Sequence, residues 1–290
     1  MAGFKGVLTA MVTPFAEDGP VDLAAARRLA RFLVENGSHG VVVAGTTGES
    51  PTLSDDEKLE LLAVVLEEIG DGSTVICGTG SNDTRHTAAL TQRAAEAGAH
   101  GVLVVTPYYN KPNEAGLRAH FAAASDAAGD TPVILYNIPG RSVINLEPEL
   151  LADLAATHDN VVAVKQANND QMGAIEGLDI LAGNDEIFAR CLELGGTGGI
   201  LVASHVAGPR MRALYDAASS GDHDRARELE NELRPLYEAL TIAPPAVAVK
   251  AALAMQELIS DEARLPMVTA SETEREQIRA AVERVAKVSA

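Results

Sequence analysis

Val133-Ile134-Leu135-Tyr136 and Val161-Val162-Ala163-Val164-Lys165 decide the fold of this chain. Each is a short apolar run that ends in a reactive side chain, and a longer stretch at helical spacing separates the two. Apolar runs without polar alternation describe strands covered on both faces. Strand, helix and strand in that order make a parallel pair joined by a crossover.

Six further runs repeat the pattern: Val7–Val12, Val41–Ala44, Thr74–Cys77, Gly101–Val105, Ile180–Ala182 and Gly199–Val202. Several of the intervening stretches carry helix start signals. Ser54-Asp55-Asp56-Glu57 is a capping box ahead of LELLAVVLEEIG, with Gly70 as its stop, and Asp22 caps LAAARRLARFLVENG. Eight units in roughly 220 residues predict a closed (β/α)₈ TIM barrel. The competing architecture, a doubly wound open sheet, is weakened because no GxGxxG turn follows the first run. After Gly221 the alternation stops. DHDRARELENELRPLYEAL, PPAVAVKAALAMQELI and ASETEREQIRAAVERVAKV read as three helices, the last opened by the capping box Ser271–Glu274. The expected organisation is a catalytic barrel over residues 1–221 and a helical C-terminal region over 222–290.

Composition narrows the partners. A net charge of −18 argues against nucleic acid and against anionic membrane surfaces, both of which are bound by clustered Lys and Arg. No apolar run approaches the roughly 20 residues that span a bilayer, and the N-terminus lacks a signal-peptide layout, so a cytoplasmic protein is expected. Cys77 and Cys191 are the only cysteines and form neither a CxxC pair nor a disulfide framework. The seven histidines are scattered without metal-ligand spacing, so no metal is expected. His120 and His205 read as packing residues.

In a barrel of this kind the reactive groups sit at the carboxyl ends of the strands. Five of those ends are polar: Gly45-Thr46-Thr47-Gly48-Glu49-Ser50, Thr106-Pro107-Tyr108-Tyr109-Asn110-Lys111-Pro112, Tyr136-Asn137-Ile138-Pro139-Gly140-Arg141-Ser142, Lys165, and Gly183-Asn184-Asp185. Lys165 is the most informative. A lysine after four apolar residues is either snorkelling from a strand end or is a desolvated amine poised to attack a carbonyl. Tyr136 suits a proton shuttle beside it. Thr46 and Thr47, between two glycines, can offer amides to a carboxylate and hydroxyls to a proton relay. Arg141 can fork onto a substrate carboxylate. Lys111 and Glu49 are assigned no chemical step.

The segments GTTGES, TPYYNKP, YNIPGRS and VAVKQAN, in this order and at these separations, resemble the dihydrodipicolinate synthase family over nearly the whole chain. The resemblance implies an imine between Lys165 and pyruvate, with no external cofactor. It implies a relay of Tyr136, Thr47 and Tyr109, the last reaching into a neighbouring subunit. It also implies that Thr46 and Thr47 hold the pyruvate carboxylate, that Arg141 holds the carboxylate of L-aspartate 4-semialdehyde, and that Gly183 and Ile200 line the pocket. A homotetramer, a dimer of dimers, is the implied assembly.

Two positions depart from the pattern: Gln166 stands where an acidic residue is common, and Ser204-His205-Val206 where an Asn-containing segment is common. The second is the one expected to bear on substrate choice. Alternatives are an N-acetylneuraminate lyase or a 2-keto-3-deoxy sugar acid aldolase of the same superfamily, against which the IPGR segment argues, and a catalytically silent barrel, against which Lys165 and Tyr136 argue. For relatives that respond to lysine, Ser50, Asn82 and Tyr108 match the effector pocket. His86 replaces its acidic partner, and Asp55 and Lys58 replace two histidines. Weak or absent lysine inhibition is therefore expected, with Asp55 turned outward into solvent by its place in the capping box.

Overall fold

The computed structural model describes residues 3–17 and 19–288. Eight parallel strands, β1 (Gly6–Ala10), β2 (Gly40–Val43), β3 (Thr74–Gly78), β4 (Gly101–Val105), β5 (Val133–Asn137), β6 (Val161–Gln166), β7 (Asp179–Ala182) and β8 (Gly198–Leu201), close into a barrel in sequence order. β8 pairs back onto β1, with Leu8 opposite Ile200. Every one of the eight apolar runs is a barrel strand, and the open-sheet alternative is excluded.

The period of two within each strand divides the barrel's interior from its sheath. Leu8, Val42, Ile76, Leu103, Ile134, Ala163, Leu181 and Ile200 fill the barrel axis as one cluster. Their neighbours Val7, Val41, Val75, Val102, Val133, Val164, Ile180 and Leu201 pack outward in a second cluster, against the helices. Because Tyr136 lies two residues after Ile134, and Lys165 two after Ala163, both side chains point inward at the carboxyl end.

The barrel helices are α1 (Leu23–Glu35), α2 (Asp55–Ile69), α3 (Thr84–Glu96), α4 (Glu114–Ala128), the single turn α5 (Pro139–Ser142), α6 (Pro148–Thr157), α7 (Phe188–Glu193) and α8 (Ser204–Ser219). Asp22 caps α1 by accepting from Ala25 N, and the Ser54–Glu57 capping box opens α2. Three more helices follow: α9 (His223–Ala239), α10 (Pro245–Ala254) and α11 (Glu272–Val288). Leu233, Leu236, Val247, Leu253 and Ile278 from these helices belong to the same apolar core as the barrel sheath. The stretch read as a helix through MQELI stops earlier, at Ala254. Leu258 N bonds to Leu253 O, Glu257 N bonds to Ala254 O, and Glu257 adopts φ 57°, a Schellman-type ending. No helix among the described residues is long and apolar enough to cross a membrane. Cys77 and Cys191 are buried and unpaired, and burial pushes both thiols up to about 12.

Candidate active site

Tyr136 and Lys165 stand directly opposite one another on β5 and β6. Both are buried, and Lys165 Nζ lies 4.3 Å from the centroid of the Tyr136 ring. The ring face is a weak partner for the Lys165 amine. The lysines that do form ion pairs among the described residues are Lys58 and Lys250, both elsewhere.

One residue further on, Asn137 and Gln166 point to the other side of the sheet. Asn137 Nδ2 donates to Gln166 Oε1 at 3.0 Å and to Asn145 Oδ1 at 2.9 Å, and Asn137 Oδ1 accepts from Leu146 N at 3.0 Å. This buried amide ladder ties the ends of β5 and β6 together and holds the two reactive side chains in register. Gln166 thus faces the ladder and not the reacting groups.

A cavity of about 230 Å³ opens at this end of the barrel. Thr46, Tyr136 and Arg141 line it, together with Tyr108, Ser50 and Ser142. Gly78 lets the end of β3 approach the loop after β2, where a Cβ would come within 2.2 Å of the Ala44 carbonyl oxygen. Thr46 is exposed to the cavity and Thr47 is buried behind it. Arg141 projects from α5, which Ser142 secures by donating to the Ile138 and Ile144 carbonyls. An inward amine beside a phenol, with hydroxyls and a guanidinium around one cavity, can form an imine with a keto acid and hold carboxylates on either side of it.

The profile of the dihydrodipicolinate synthetase family matches residues 3–285, which is nearly the entire chain. The chain belongs to the dihydrodipicolinate synthetase family. Among curated proteins it is similar to the 4-hydroxy-tetrahydrodipicolinate synthase of Mycolicibacterium paratuberculosis, with 48% identity covering 94% of this chain and 92% of that one. Among solved structures it is similar to dihydrodipicolinate synthase from Thermotoga maritima, with 41% identity, a TM-score of 0.94, and 98% and 99% of the two chains covered. It is equally close in shape to the enzyme from Cyanidioschyzon merolae solved with lysine bound, with 37% identity, a TM-score of 0.94 and 98% of each chain covered.

Five residues singled out from the sequence lie outside the cavity lining of this family member: Lys165 and Thr47, both buried beside it, and Tyr109, Gly183 and Ile200. Tyr109 follows the cavity residue Tyr108, but it is 88% exposed and its backbone takes φ 73°. Ile200 is buried in the barrel axis, and Gly183 donates its N–H to the Gln166 carbonyl at 2.8 Å. The departure at His205 is structural. Its Nε2 accepts from Val12 N at 3.1 Å, its Nδ1 faces the Val202 carbonyl at 2.8 Å, and burial pushes its pKa down to about 4. The imidazole is neutral and both of its nitrogens are used by the backbone. His120 is likewise a packing residue, stacked edge-on against Phe121.

Two carboxylates that stand at polar strand ends in the sequence, but were given no role there, are tied into the fold. Asp185, at the end of β7, accepts from Val202 N and Ala203 N at the start of α8, so it joins two strand-end loops. Desolvation pushes its pKa up to about 6, although those backbone hydrogen bonds and the charge of Lys165 oppose the rise. Glu49 is fully buried against Lys250, a partner no local signal in the sequence reveals.

The expectation for Asp55 fails. The capping box forms as read, yet Asp55 does not turn into solvent. Both of its oxygens lie 2.9 Å from His86 Nε2, and one lies 3.7 Å from Lys58 Nζ. Two potential cations, one across from it on α3 and one a turn along its own helix, draw the carboxylate sideways.

Proposed function

We propose that this chain condenses pyruvate with L-aspartate 4-semialdehyde to 4-hydroxy-tetrahydrodipicolinate, as a lyase of lysine and diaminopimelate biosynthesis, through an imine on Lys165. The observation that carries the reading is the buried Lys165–Tyr136 pair at the open end of the barrel, beside a cavity rimmed by Thr46 and Arg141. The amine of Lys165 adds to the pyruvate carbonyl, whose oxygen leaves as water. The imine nitrogen draws electrons from the methyl carbon, which loses a proton and becomes an enamine. That carbon bonds to the aldehyde carbon, and the aldehyde oxygen takes a proton to become the hydroxyl. The amino group of the former semialdehyde then attacks the imine carbon, closing the ring and expelling Lys165. The lysine is the electron sink, so the cycle needs no further cofactor.

Thr46 and Thr47 hold the pyruvate carboxylate, and Arg141 receives that of the semialdehyde. Tyr136 moves protons together with Thr47 and with Tyr109 of a second subunit. Exposure of Tyr109 away from its own cavity supports a role in a neighbouring site. A dimer is then the smallest working unit, and a homotetramer the assembly that joins two of them. Gly183 and Ile200 support the pocket from behind its lining.

The reading extends to regulation. In this chain the Asp55 carboxylate is already engaged by His86 and Lys58. A cationic amino acid would have to compete with them, so free lysine is a weak effector here.

Borohydride reduction in the presence of pyruvate tests the central step. The wild type should gain one reduced pyruvyl group, located on Lys165 by peptide mass spectrometry, and Lys165→Ala should gain none. Equal labelling of the two proteins would refute the imine.

A further inference from the structure

The loop that carries Thr46 and Thr47 is held from an unexpected direction. Glu49 ends that loop in a left-handed conformation, φ 58° and ψ 33°, and Ala44 begins it at φ 52°. Neither is a glycine, and such residues stay left-handed only where their surroundings over-determine them. Within the loop, Glu49 N bonds to Thr46 O at 3.1 Å, and Thr13 Oγ1 donates to Gly48 O at 2.6 Å.

The surroundings of Glu49 come from the far end of the chain. Its Oε1 pairs with Lys250 of α10, 201 residues away, and its Oε2 accepts from Arg264 N at 3.1 Å. Lys250 also donates to the Glu262 carbonyl at 2.8 Å, and its ammonium lies 4.0 Å from the centroid of the Phe15 ring. The Arg264 side chain continues onto the segment before α1 and the turn before α2. It donates to Gly19 O and Thr52 O, both at 2.8 Å, and forks onto the Glu57 carboxylate. Both Glu49 and Lys250 are fully buried. Burial pushes the Lys250 pKa down, and the Glu49 carboxylate opposes that shift.

Stability alone does not call for such a pair, because apolar residues of the same volume commonly serve as well or better. What a buried pair with several further hydrogen bonds adds is one defined geometry, here at the turn two residues beyond Thr47. We infer that Glu49 is a positioning residue: Lys250 and the Arg264 backbone grip its carboxylate and hold the loop that aims Thr46 and Thr47 at pyruvate. The C-terminal region is then a strut of the pyruvate site. This rests on the proposed role of Thr46 and Thr47 as the pyruvate-carboxylate holders.

The test is steady-state kinetics of the full-length chain with both substrates varied, alongside thermal unfolding. Lys250→Met should raise the KM for pyruvate by roughly ten- to hundredfold, as misplacement of a binding group does. The KM for the semialdehyde and the extent of borohydride trapping at saturating pyruvate should stay near those of the wild type. Glu49→Leu combined with Lys250→Met removes both charges; it should recover the melting temperature without recovering the pyruvate KM. If Lys250→Met does not fold, the double variant carries the comparison. An unchanged pyruvate KM in the folded variants, or a KM that recovers in step with the melting temperature, overturns the inference. Thr47→Val, run in parallel, separates the two readings. If it raises the pyruvate KM while the strut variants do not, only the strut fails; if it leaves pyruvate binding untouched, the assignment of the loop to pyruvate fails, and the strut with it.

Discussion

Removing the negative charge of Glu57 should weaken the fold at neutral pH and do little in acid. Glu57 takes part in the capping box of α2 and receives the fork of Arg264, with Nη1 2.9 Å from Oε2. The hydrogen bond from Arg264 is the main cause that holds its pKa at about 2, below the ordinary 4.5, and the amide of Ser54 helps. A carboxyl whose folded value is depressed contributes stability that is complete above its unfolded value and is lost as the pH falls through its folded value. The window is therefore from 4.5 down to about 2. At roughly 1.4 kcal/mol per pKa unit the contribution at neutral pH is about 3 kcal/mol. With 20% of the Arg264 side chain and 28% of Glu57 exposed, screening by water reduces it to about 1–2 kcal/mol.

Urea unfolding of the wild type and Glu57→Gln measures the difference. Gln keeps the shape, and its side-chain oxygen can still accept from Ser54 N. For an m-value of about 3 kcal/mol/M the wild-type midpoint should lie roughly 0.3–0.7 M higher at about pH 7. The gap should shrink steadily below about pH 4.5 and approach zero near about pH 2. A gap that is the same at both ends of the window would refute the reasoning, because the effect would then come from packing and not from the charge.

Arg141→Ala should raise the KM for the semialdehyde by about ten- to hundredfold, the equivalent of a lost charge-assisted hydrogen bond, while pyruvate trapping on Lys165 persists. Loss of trapping with normal semialdehyde use would reverse the assignment. Mixed dimers of Tyr109→Phe and Lys165→Ala subunits, each inactive alone, should regain activity, because one site in each hybrid receives an intact Tyr109 from its neighbour. Verified hybrids with no activity would place Tyr109 at work within its own chain. Millimolar free lysine should leave the initial rate nearly unchanged, and the double substitution Asp55→His with His86→Glu should make the enzyme more sensitive. Strong inhibition of the unmodified protein would show that the Asp55–His86 contact yields to the ligand.

Much of this molecule is written locally. The eight apolar runs, the capping signals at Asp22, Ser54 and Ser271, and the change of pattern after Gly221 are short-range features, because strand and helix periods repeat within a few residues. The same locality made the candidate site legible: in a barrel the reactive groups follow directly on the strands, so Lys165, Tyr136, Thr46 and Arg141 could be proposed from where each apolar run stops.

What a charged side chain does once buried is a different matter, since it depends on which partners the fold brings within a few ångströms. Glu49 and Lys250 are each unremarkable in their own segments; only the packing of α10 against the loop after β2 removes both from water and makes each the other's necessary partner. Asp55 carries an outward reading on its own helix, and α3 overrides it by presenting His86. The Lys165–Tyr136 contact needs the register of β5 on β6. Period and capping are set by neighbours along the chain, so the sequence alone determined the barrel and which residues end its strands. Pairing and desolvation are set by neighbours in space, so only the tertiary structure decided what holds those residues in place.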